Sequence, residues 1–284
     1  MGWGHQYIHT NQVKLHCITQ GEGELVILLH GLLEFWYSWR HQLPVLSKQF
    51  KVVVPDLRGY NDSDKPAVGY DLKTLGQDIQ GLISALGYSK AHVVGHDWGG
   101  TIALHFARQY PQSLDKLAVL SVPQSLLDLV SNNFAQLQRS WYLLALQLPG
   151  FPTWLQEQNL RDFLADLFQG QAIRKSAFTR SETAIFQAAL QKPGAFSAVT
   201  RHAQQFFTSR AWRPALLGQP ISHPALVLWG EEDPLLSTRY LREIGNLLQQ
   251  GYQAKSIPFC GHWIQQEAPQ TVSRELMKFL GSSA

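Results

Sequence analysis

The chain has few cysteines and no long apolar run. Its 284 residues include only Cys17 and Cys260, too few for a disulfide framework, and no paired Cys/His spacing indicates a structural metal. No uninterrupted apolar stretch approaches the length that crosses a bilayer, and the first residues lack the charged start and apolar core of a signal peptide. We therefore expect a soluble, metal-free protein in a reducing compartment, the cytoplasm.

The sequence also lacks an excess of either charge. There are 24 Lys and Arg residues against 21 Asp and Glu, a net charge of +3, without a basic run or a basic-aromatic stripe. Nucleic acid is therefore not an expected partner. Hydrophobic residues make up 45% of the chain and charged residues 16%, a balance that can bury a core. The length favours one core with a sizeable insertion.

Short apolar runs recur along the chain with helix-like segments between them. The runs cover residues 25–30, 51–56, 91–96, 117–122, 225–230 and 254–258. Strands joined by helical crossovers give this pattern, and runs that are apolar at successive residues indicate a sheet covered on both faces. Residues 6–9 and 13–19 alternate around Asn11-Gln12, as an antiparallel hairpin does. The sequence therefore predicts the α/β class, with a mostly parallel central sheet flanked by helices.

The strand-helix alternation stops after Pro123. Residues 124–214 carry Gln, Leu and aromatic residues at helical spacing, with prolines as breaks and no convincing strand. We expect this stretch to form an inserted helical cap, or lid, and residues 1–123 and 215–284 to form the core. Because open α/β sheets bind ligands at the carboxyl ends of their strands, the cap should cover that edge.

The strongest local signal is Val-Val-Gly-His-Asp-Trp-Gly-Gly at residues 93–100, a strand that runs into a helix. Gly95 and Gly99 stand two residues before and after Asp97, where the sharp turn of a nucleophile elbow brings backbones together. Asp97 could simply cap the helix, but the flanking glycines and the partners described below favour a nucleophile. A carboxylate attacks an electrophilic sp³ carbon and gives an enzyme-bound ester, whereas a serine would indicate acyl transfer.

A base that activates water against such an ester, and an acid that orients the base, follow in the expected order. His262 lies after the last predicted strand, in Gly-His-Trp, and Asp233 follows the preceding strand in Glu-Glu-Asp-Pro. His262 could be a surface histidine, and Glu231 or Glu232 could take the place of Asp233. The pattern favours His262 as the base and Asp233 as the acid.

Leu-His-Gly-Leu at residues 29–32 follows the third predicted strand. In this architecture the amide after His-Gly and the amide after the nucleophile point into one pocket, so Leu32 and Trp98 are the predicted oxyanion-hole donors. A plain strand-to-loop turn at His30 is the alternative. The aromatic-rich residues 34–40 favour a site, because such a cluster is costly unless it packs beside one.

Together these motifs resemble those of the epoxide hydrolases of the α/β-hydrolase superfamily, almost from end to end. The likeness includes residues 34–42, Pro-Asp-Leu-Arg-Gly-Tyr-Asn-Asp-Ser-Asp-Lys-Pro at 55–66, the elbow at 95–100, Ser-Trp-Tyr at 140–142 ahead of Gln-Leu-Pro, and Gly-His-Trp at 261–263. The elbow alone is shared with haloalkane dehalogenases, but its combination with Trp141-Tyr142 is diagnostic. In that family two cap tyrosines hydrogen-bond the epoxide oxygen, and Tyr142 matches the first of them.

The chain departs from the family pattern at two places. The family usually has a second tyrosine after a Lys-Pro-Gly segment, and here His202 or Ala203 stands in its place. His202 could substitute as the second donor or be a surface histidine. Leu32-Leu33 replaces an aromatic residue followed by proline, so the backbone around the oxyanion hole is expected to be less rigidly fixed.

The resemblance implies hydrolysis of an epoxide to a vicinal diol through an ester on Asp97, without a metal or an organic cofactor. It also implies a small apolar epoxide and water as the substrates, with Tyr142 donating to the epoxide oxygen. The chain is expected to be a monomer or a homodimer. The residues expected to line the substrate pocket are His30, Phe35, Trp36, His202 and Trp263.

Three alternatives use the same fold. A haloalkane dehalogenase could hold the leaving halide with Trp98, but Leu32 stands where many of these enzymes have an asparagine. A fluoroacetate dehalogenase needs cationic residues beside the nucleophile, where this chain has Trp98 and Thr101. A ligand-binding homologue without catalysis is disfavoured because the nucleophile, the acid and the base are all present.

Overall fold

The central sheet of the computed structural model has eight strands among the described residues, which are 3–123, 141–208, 220–236, 240–249 and 251–282. The strand order is β1-β2-β4-β3-β5-β6-β7-β8. The strands are β1 Gly4–Thr10, β2 Val13–Gln20, β3 Leu25–Leu29, β4 Lys51–Pro55, β5 Ala91–His96, β6 Leu114–Leu120, β7 Ala225–Gly230 and β8 Gln253–Ile257. β2 is antiparallel to both of its neighbours, and the pairs from β4–β3 to β7–β8 are parallel. The predicted α/β class and the predicted opening hairpin are confirmed.

The middle of the sheet consists of strands that are apolar on both faces. Every residue of β3, β5 and β7 is buried, as expected for parallel strands with helices on both sides. Leu29 lies opposite Gly95, and His96 lies opposite Leu120. The carboxyl ends of β3, β5 and β6 therefore meet at one edge, so the loops that follow these strands are neighbours.

Eleven α-helices lie among the described residues. They are α1 Leu43–Leu46, α2 Leu72–Ala85, α3 Trp98–Gln109, α4 Trp141–Ala145, α5 Phe151–Trp154, α6 Leu160–Ala165, α7 Arg180–Gln191, α8 Ala195–Thr208, α9 Tyr240–Gly245, α10 Ile264–Glu267 and α11 Pro269–Leu280. α2 begins after Asp71, whose carboxylate accepts the backbone N–H of Thr74 at 3.0 Å. Leu75, Ile79 and Leu82 on one face of α2 are buried, which is the period of a helix packed against a sheet.

Residues 141–208, here called the helical insert, contain α4 to α8 and no strand. Thr179 and Glu182 form a capping box at the start of α7. Glu182 also accepts a hydrogen bond from Arg40 of the core, and Lys192 pairs with Asp62 at 2.6 Å. The predicted cap boundaries, at residues 123/124 and 214/215, involve positions outside the described residues.

In the described part of the chain, no helix is both long enough and apolar enough to cross a membrane.

Candidate active site

Asp97 stands at the turn between β5 and α3. Its φ of 49° and ψ of −119° form a strained conformation for a residue with a side chain. A Cβ on Gly95 would lie 2.3 Å from the carbonyl oxygen of Gly99, and a Cβ on Gly99 would lie 2.4 Å from that of Leu29. The backbone therefore requires glycine at both positions. The Asp97 N–H donates to the Leu120 carbonyl of β6 at 3.0 Å, which fixes the turn to the edge of the sheet.

The carboxylate of Asp97 faces the loop that follows β3. The backbone N–H of Leu32 donates to Asp97 Oδ2 at 2.8 Å. A Cβ on Gly31 would lie 3.0 Å from both the Cβ and the Oδ2 of Asp97, so a larger residue there would push the loop away. Trp98, whose amide is the second predicted donor, is the first residue of α3 and directly follows Asp97.

The structure brings His262 and Asp233 to Asp97. The Nε2 atom of His262 lies 3.7 Å from Asp97 Oδ1, and its Nδ1 atom lies 3.0 Å from Asp233 Oδ2. The other oxygen of Asp233 accepts the backbone N–H groups of Leu235 and Leu236, each at 2.8 Å. The three side chains therefore have the geometry that a nucleophile, a base and an orienting acid would require.

The two glutamates that could have replaced Asp233 have other partners. Glu231 accepts the hydroxyl of Ser256 at 2.6 Å. Glu232 accepts the backbone N–H of Cys260 at 2.9 Å. Asp233 is the carboxylate that contacts the ring of His262.

Three carboxylates control the charge of His262. Burial alone would lower the pKa of His262, but Asp233, Asp97 and Glu34 together raise it to about 9. The imidazole is therefore protonated at neutral pH. Removing the charge of Asp97 would remove one of the causes that raise this pKa.

Tyr142, on α4, is buried near the same carboxylates. Burial, together with the negative charges of Asp97 and Asp233, raises the pKa of the Tyr142 hydroxyl well above its ordinary value. The hydroxyl therefore keeps its proton at neutral pH and can donate it. Its ring meets Phe163 edge-on at 5.9 Å between centroids, and both rings line a cavity of about 250 Å³ within the helical insert.

Comparison with known proteins identifies the family of this chain. A family model described as the alpha/beta hydrolase fold matches residues 24–269. The chain belongs to the α/β-hydrolase fold family.

Several similar proteins are epoxide hydrolases. This chain is 33% identical to Epoxide hydrolase 1 of Caenorhabditis elegans over 98% of this chain and 70% of that protein. It is 34% identical to the AB hydrolase superfamily protein YfhM of Bacillus subtilis over 97% of both chains. An epoxide hydrolase of Bacillus megaterium, solved as a mutant with its diol product, has a TM-score of 0.85 at 28% identity, covering 98% of this chain and 100% of that one. The protein is therefore an enzyme, an α/β-fold hydrolase.

A buried pair in this hydrolase contacts the backbone of His262. Glu34 Oε2 lies 3.0 Å from His96 Nδ1 and accepts the Gly31 N–H at 2.7 Å, while His96 Nε2 donates to the His262 carbonyl at 3.0 Å. Burial raises the pKa of Glu34, but His96 and the Gly31 N–H outweigh it and keep this pKa below its ordinary value. The pair was not predicted from the sequence. The one feature of the sequence that could have indicated it is that His96 directly precedes Asp97.

His202, the possible second donor to the epoxide oxygen, forms hydrogen bonds with the protein through both of its ring nitrogens. Its Nδ1 atom accepts the indole N–H of Trp98 at 2.9 Å, and its Nε2 atom donates to the Arg58 carbonyl at 2.9 Å. Burial lowers the pKa of His202 to about 3, so the ring is neutral. Both ring nitrogens are used within the hydrolase, and neither is left to bind a substrate.

His30 is likewise engaged by backbone groups. Its Nδ1 atom donates to the Gly31 carbonyl at 2.9 Å, and its Nε2 atom accepts the Leu57 N–H at 3.1 Å. Burial lowers the pKa of His30, which keeps Nε2 available as an acceptor. The geometry gives His30 a part in shaping the loop after β3 and no ring nitrogen for a substrate.

The three aromatic residues predicted to line the pocket lie in different surroundings. Phe35 meets Phe186 of the helical insert edge-on at 5.5 Å. The ring of Trp263 packs against Phe168 and Phe178 of the insert, and its centroid lies 5.3 Å from that of the His262 ring. Trp36 contacts Trp3 at 5.5 Å, ahead of β1. Phe35 and Trp263 therefore lie where the core meets the insert, whereas the contacts of Trp36 face the amino-terminal strand.

The departure at Leu32-Leu33 changes the path of the backbone. Leu33 has a φ of 63°, and the ring of proline restricts φ to about −65°, so proline could not adopt this conformation. A positive φ costs a non-glycine residue about 1–2 kcal/mol. The Glu34 carboxylate accepts the Gly31 N–H, and this hydrogen bond stabilises the turn.

One group of metal-ligand side chains occurs among the described residues. His16, Asp56 and Asp62 could offer three ligand atoms within 4.8 Å of one another. However, the amide nitrogen of Asn61 donates to Asp56 at 2.8 Å, and the ammonium of Lys192 lies 2.6 Å from Asp62. These positively polarised groups occupy the places that a cation would take.

Proposed function

We propose that this hydrolase opens small apolar epoxides to vicinal diols through an ester on Asp97. The observation that carries the proposal is a carboxylate at the apex of the elbow, 3.7 Å from a histidine that is itself held by Asp233. The names of its relatives support the substrate class. We also propose that residues 124–214 serve as the cap over this site. A cytoplasmic location and a monomer or homodimer stay predictions from the sequence.

In the first step Asp97 opens the ring. The Leu32 amide holds Oδ2, so we assign the attack to Oδ1. A bond forms between Oδ1 and one epoxide carbon, the bond from that carbon to the epoxide oxygen breaks, and the Tyr142 hydroxyl gives its proton to that oxygen. Burial of the site strengthens the hydrogen bond from this hydroxyl to the epoxide oxygen, because little solvent competes for the hydroxyl.

In the second step His262 activates water. Esterification removes the charge of Asp97, which lowers the pKa of His262. The imidazolium proton then replaces the proton that Tyr142 gave up, and the neutral Nε2 atom can take a proton from water. The oxygen of water adds to the ester carbon, and the amides of Leu32 and Trp98 stabilise the charge that develops on Oδ2. The bond from this carbon to Oδ1 then breaks, Oδ1 leaves in the diol, and protonated His262 supplies its proton. The Asp97 carboxyl group that re-forms gives its own proton to His262, which restores the starting state.

His262→Gln tests the two-step proposal. After addition of an aryl glycidyl ether, we expect the intact protein to gain the mass of one substrate, with the adduct on Asp97 in a peptide digest. Substitution of Asp97 by Asn should prevent the adduct. Tight substrate binding without an adduct in His262→Gln would refute the ester mechanism, and no turnover of any epoxide by the wild type would favour a ligand-binding role.

The haloalkane dehalogenase alternative is less well supported by the geometry. In that reading the indole N–H of Trp98 would hold the leaving halide. The indole N–H instead donates to His202 Nδ1 at 2.9 Å. Measuring halide release beside diol release separates the two activities.

A further inference from the structure

The loop that carries His262 is joined to the helical insert through one buried carboxylate. Glu267, on α10, is 3% exposed. Its Oε2 atom accepts the backbone N–H groups of Gly261 at 3.0 Å, Ile173 at 2.9 Å and Arg174 at 2.9 Å. Gly261 directly precedes His262, whereas Ile173 and Arg174 belong to the insert. A single oxygen therefore holds the base-bearing loop and the insert together.

Glycine at position 261 allows this contact. A Cβ there would lie 2.8 Å from Glu267 Oε1, so a side chain would displace the carboxylate or the loop. Glu267 Oε1 itself has no hydrogen-bond partner among the described residues. The polar contacts of the Glu267 carboxylate within the described chain are thus concentrated on Oε2 and its three amides.

Arg174 strengthens the same connection from the side of the insert. Its guanidinium donates to the carbonyl oxygens of Phe259 at 2.7 Å, Pro258 at 3.3 Å and Glu267 at 3.1 Å. These carbonyls belong to the loop before His262 and to the end of α10. The insert therefore contacts both the N–H side and the carbonyl side of this loop.

We propose that Glu267 is a positioning residue that links the seating of the helical insert to the placement of His262 for hydrolysis of the ester. This inference rests on the proposed function. The ring of His262 must stay between Asp233 and the bound ester while it takes a proton from water, and Glu267 fixes the backbone one residue before it. Ring opening uses Asp97 and Tyr142, so it depends less on that backbone.

The test is the partition between the two half-reactions. Glu267→Ala leaves the buried N–H of Gly261 and the partly buried N–H groups of Ile173 and Arg174 without their acceptor. We expect it to slow ester hydrolysis relative to ester formation by about tenfold. Rapid quenching and intact mass measurement with an aryl glycidyl ether give both rates and the fraction of ester. Glu267→Gln keeps a carbonyl acceptor, so we expect a smaller slowing of ester hydrolysis relative to ester formation. If the alanine variant does not fold, the glutamine variant still tests the proposal.

Glu182→Gln is the matched control. Glu182 joins the insert to Arg40 and contacts neither Gly261 nor His262 in the described structure. We expect this variant to keep the wild-type ratio of the two rates. Equal slowing of both steps by the Glu267 substitutions, or the same accumulation of ester in Glu182→Gln, would overturn the proposal. Failure to trap any ester in His262→Gln would instead overturn the proposed function, so the two failures are distinguishable.

Discussion

At the scale of single residues, the charge of Asp97 sets the proton affinity of His262. The pKa of His262 is about 9, raised by Asp233, Asp97 and Glu34 against the effect of burial. We expect Asp97→Asn to lower this pKa, because one of the nearby negative charges is lost. Titration of the ring protons by NMR measures the change.

Asp64→Asn is the control. It changes an exposed carboxylate that accepts the Lys14 N–H, and it should leave the pKa of His262 at about 9. An unchanged pKa in Asp97→Asn would contradict the electrostatic argument.

The same residues predict how the second half-reaction depends on pH. Ester hydrolysis needs neutral His262, and the fraction of neutral imidazole rises as pH rises through its pKa in the ester. Single-turnover decay of the ester should therefore accelerate with pH and level off below pH 9, because the ester lacks the charge of Asp97. A decay rate that falls with rising pH would exclude His262 as the base.

Tyr142 is the described hydroxyl that we assign to the epoxide oxygen, since both nitrogens of His202 are engaged elsewhere. We expect Tyr142→Phe to slow ester formation by about 100-fold, the usual effect of losing one donor to a developing oxyanion. Stopped-flow measurement of ester formation tests this. Trp141→Phe alters the adjacent side chain, which is about half exposed, and should change the rate little. Equal rates in Tyr142→Phe and the wild type would remove Tyr142 from the mechanism.

At the scale of elements, the elbow is the feature that local sequence and fold specify together. A Cβ on Gly99 would lie 2.4 Å from the Leu29 carbonyl and 2.6 Å from the His30 carbonyl. Both neighbours are backbone atoms and cannot rotate away. We expect Gly99→Ala to lower the free energy of unfolding by about 3 kcal/mol or more, measured by urea denaturation.

Gly170→Ala is the control for the elbow. A Cβ at Gly170 would meet no atom within 4 Å. Its effect on the free energy of unfolding should stay within about 1 kcal/mol, the range for alanine at a compatible glycine. Similar losses of stability in both variants would show that the close approach at the elbow is not the cause.

The elements also show where local pattern was sufficient. The predicted run at 117–122 corresponds to β6, Leu114–Leu120, so the strand was found but its ends were shifted. Asp115 and Lys116 interrupt the apolar pattern at its start, and Ser121 at its end has a φ of 44°. Strand ends depend on where pairing with β5 and β7 begins and stops, and hydropathy does not record this.

At the scale of the whole molecule, His202 joins the helical insert to the core. It lies on α8, accepts from Trp98 and donates to Arg58. Because burial lowers its pKa from 6.5 to about 3, the unfolded chain binds a proton between these pH values that the folded protein does not. This group therefore makes the free energy of unfolding fall as pH decreases through that range.

We expect His202→Gln to remove this contribution. Glutamine can accept from Trp98 and donate to Arg58, so the contacts are retained without the titration. Between pH 6 and 4 the free energy of unfolding of the wild type should fall more steeply than that of the variant, by about 1.4 kcal/mol per pH unit. Parallel pH dependences in denaturation experiments would show that His202 is protonated in the folded protein.

The sequence by itself determined the class of fold and singled out Asp97 as the candidate nucleophile. Strand-length apolar runs and the glycines around Asp97 are local, and the backbone at the elbow accepts no other residues without a clash. The tertiary structure decided which groups surround that nucleophile. It placed Asp233 rather than Glu231 against the ring of His262, turned His202 toward Trp98, and brought His96 and Glu267 to the backbone around His262. These contacts join residues far apart in the chain. A buried polar group needs a partner inside the protein, and burial is a property of the packed molecule rather than of any segment of its sequence.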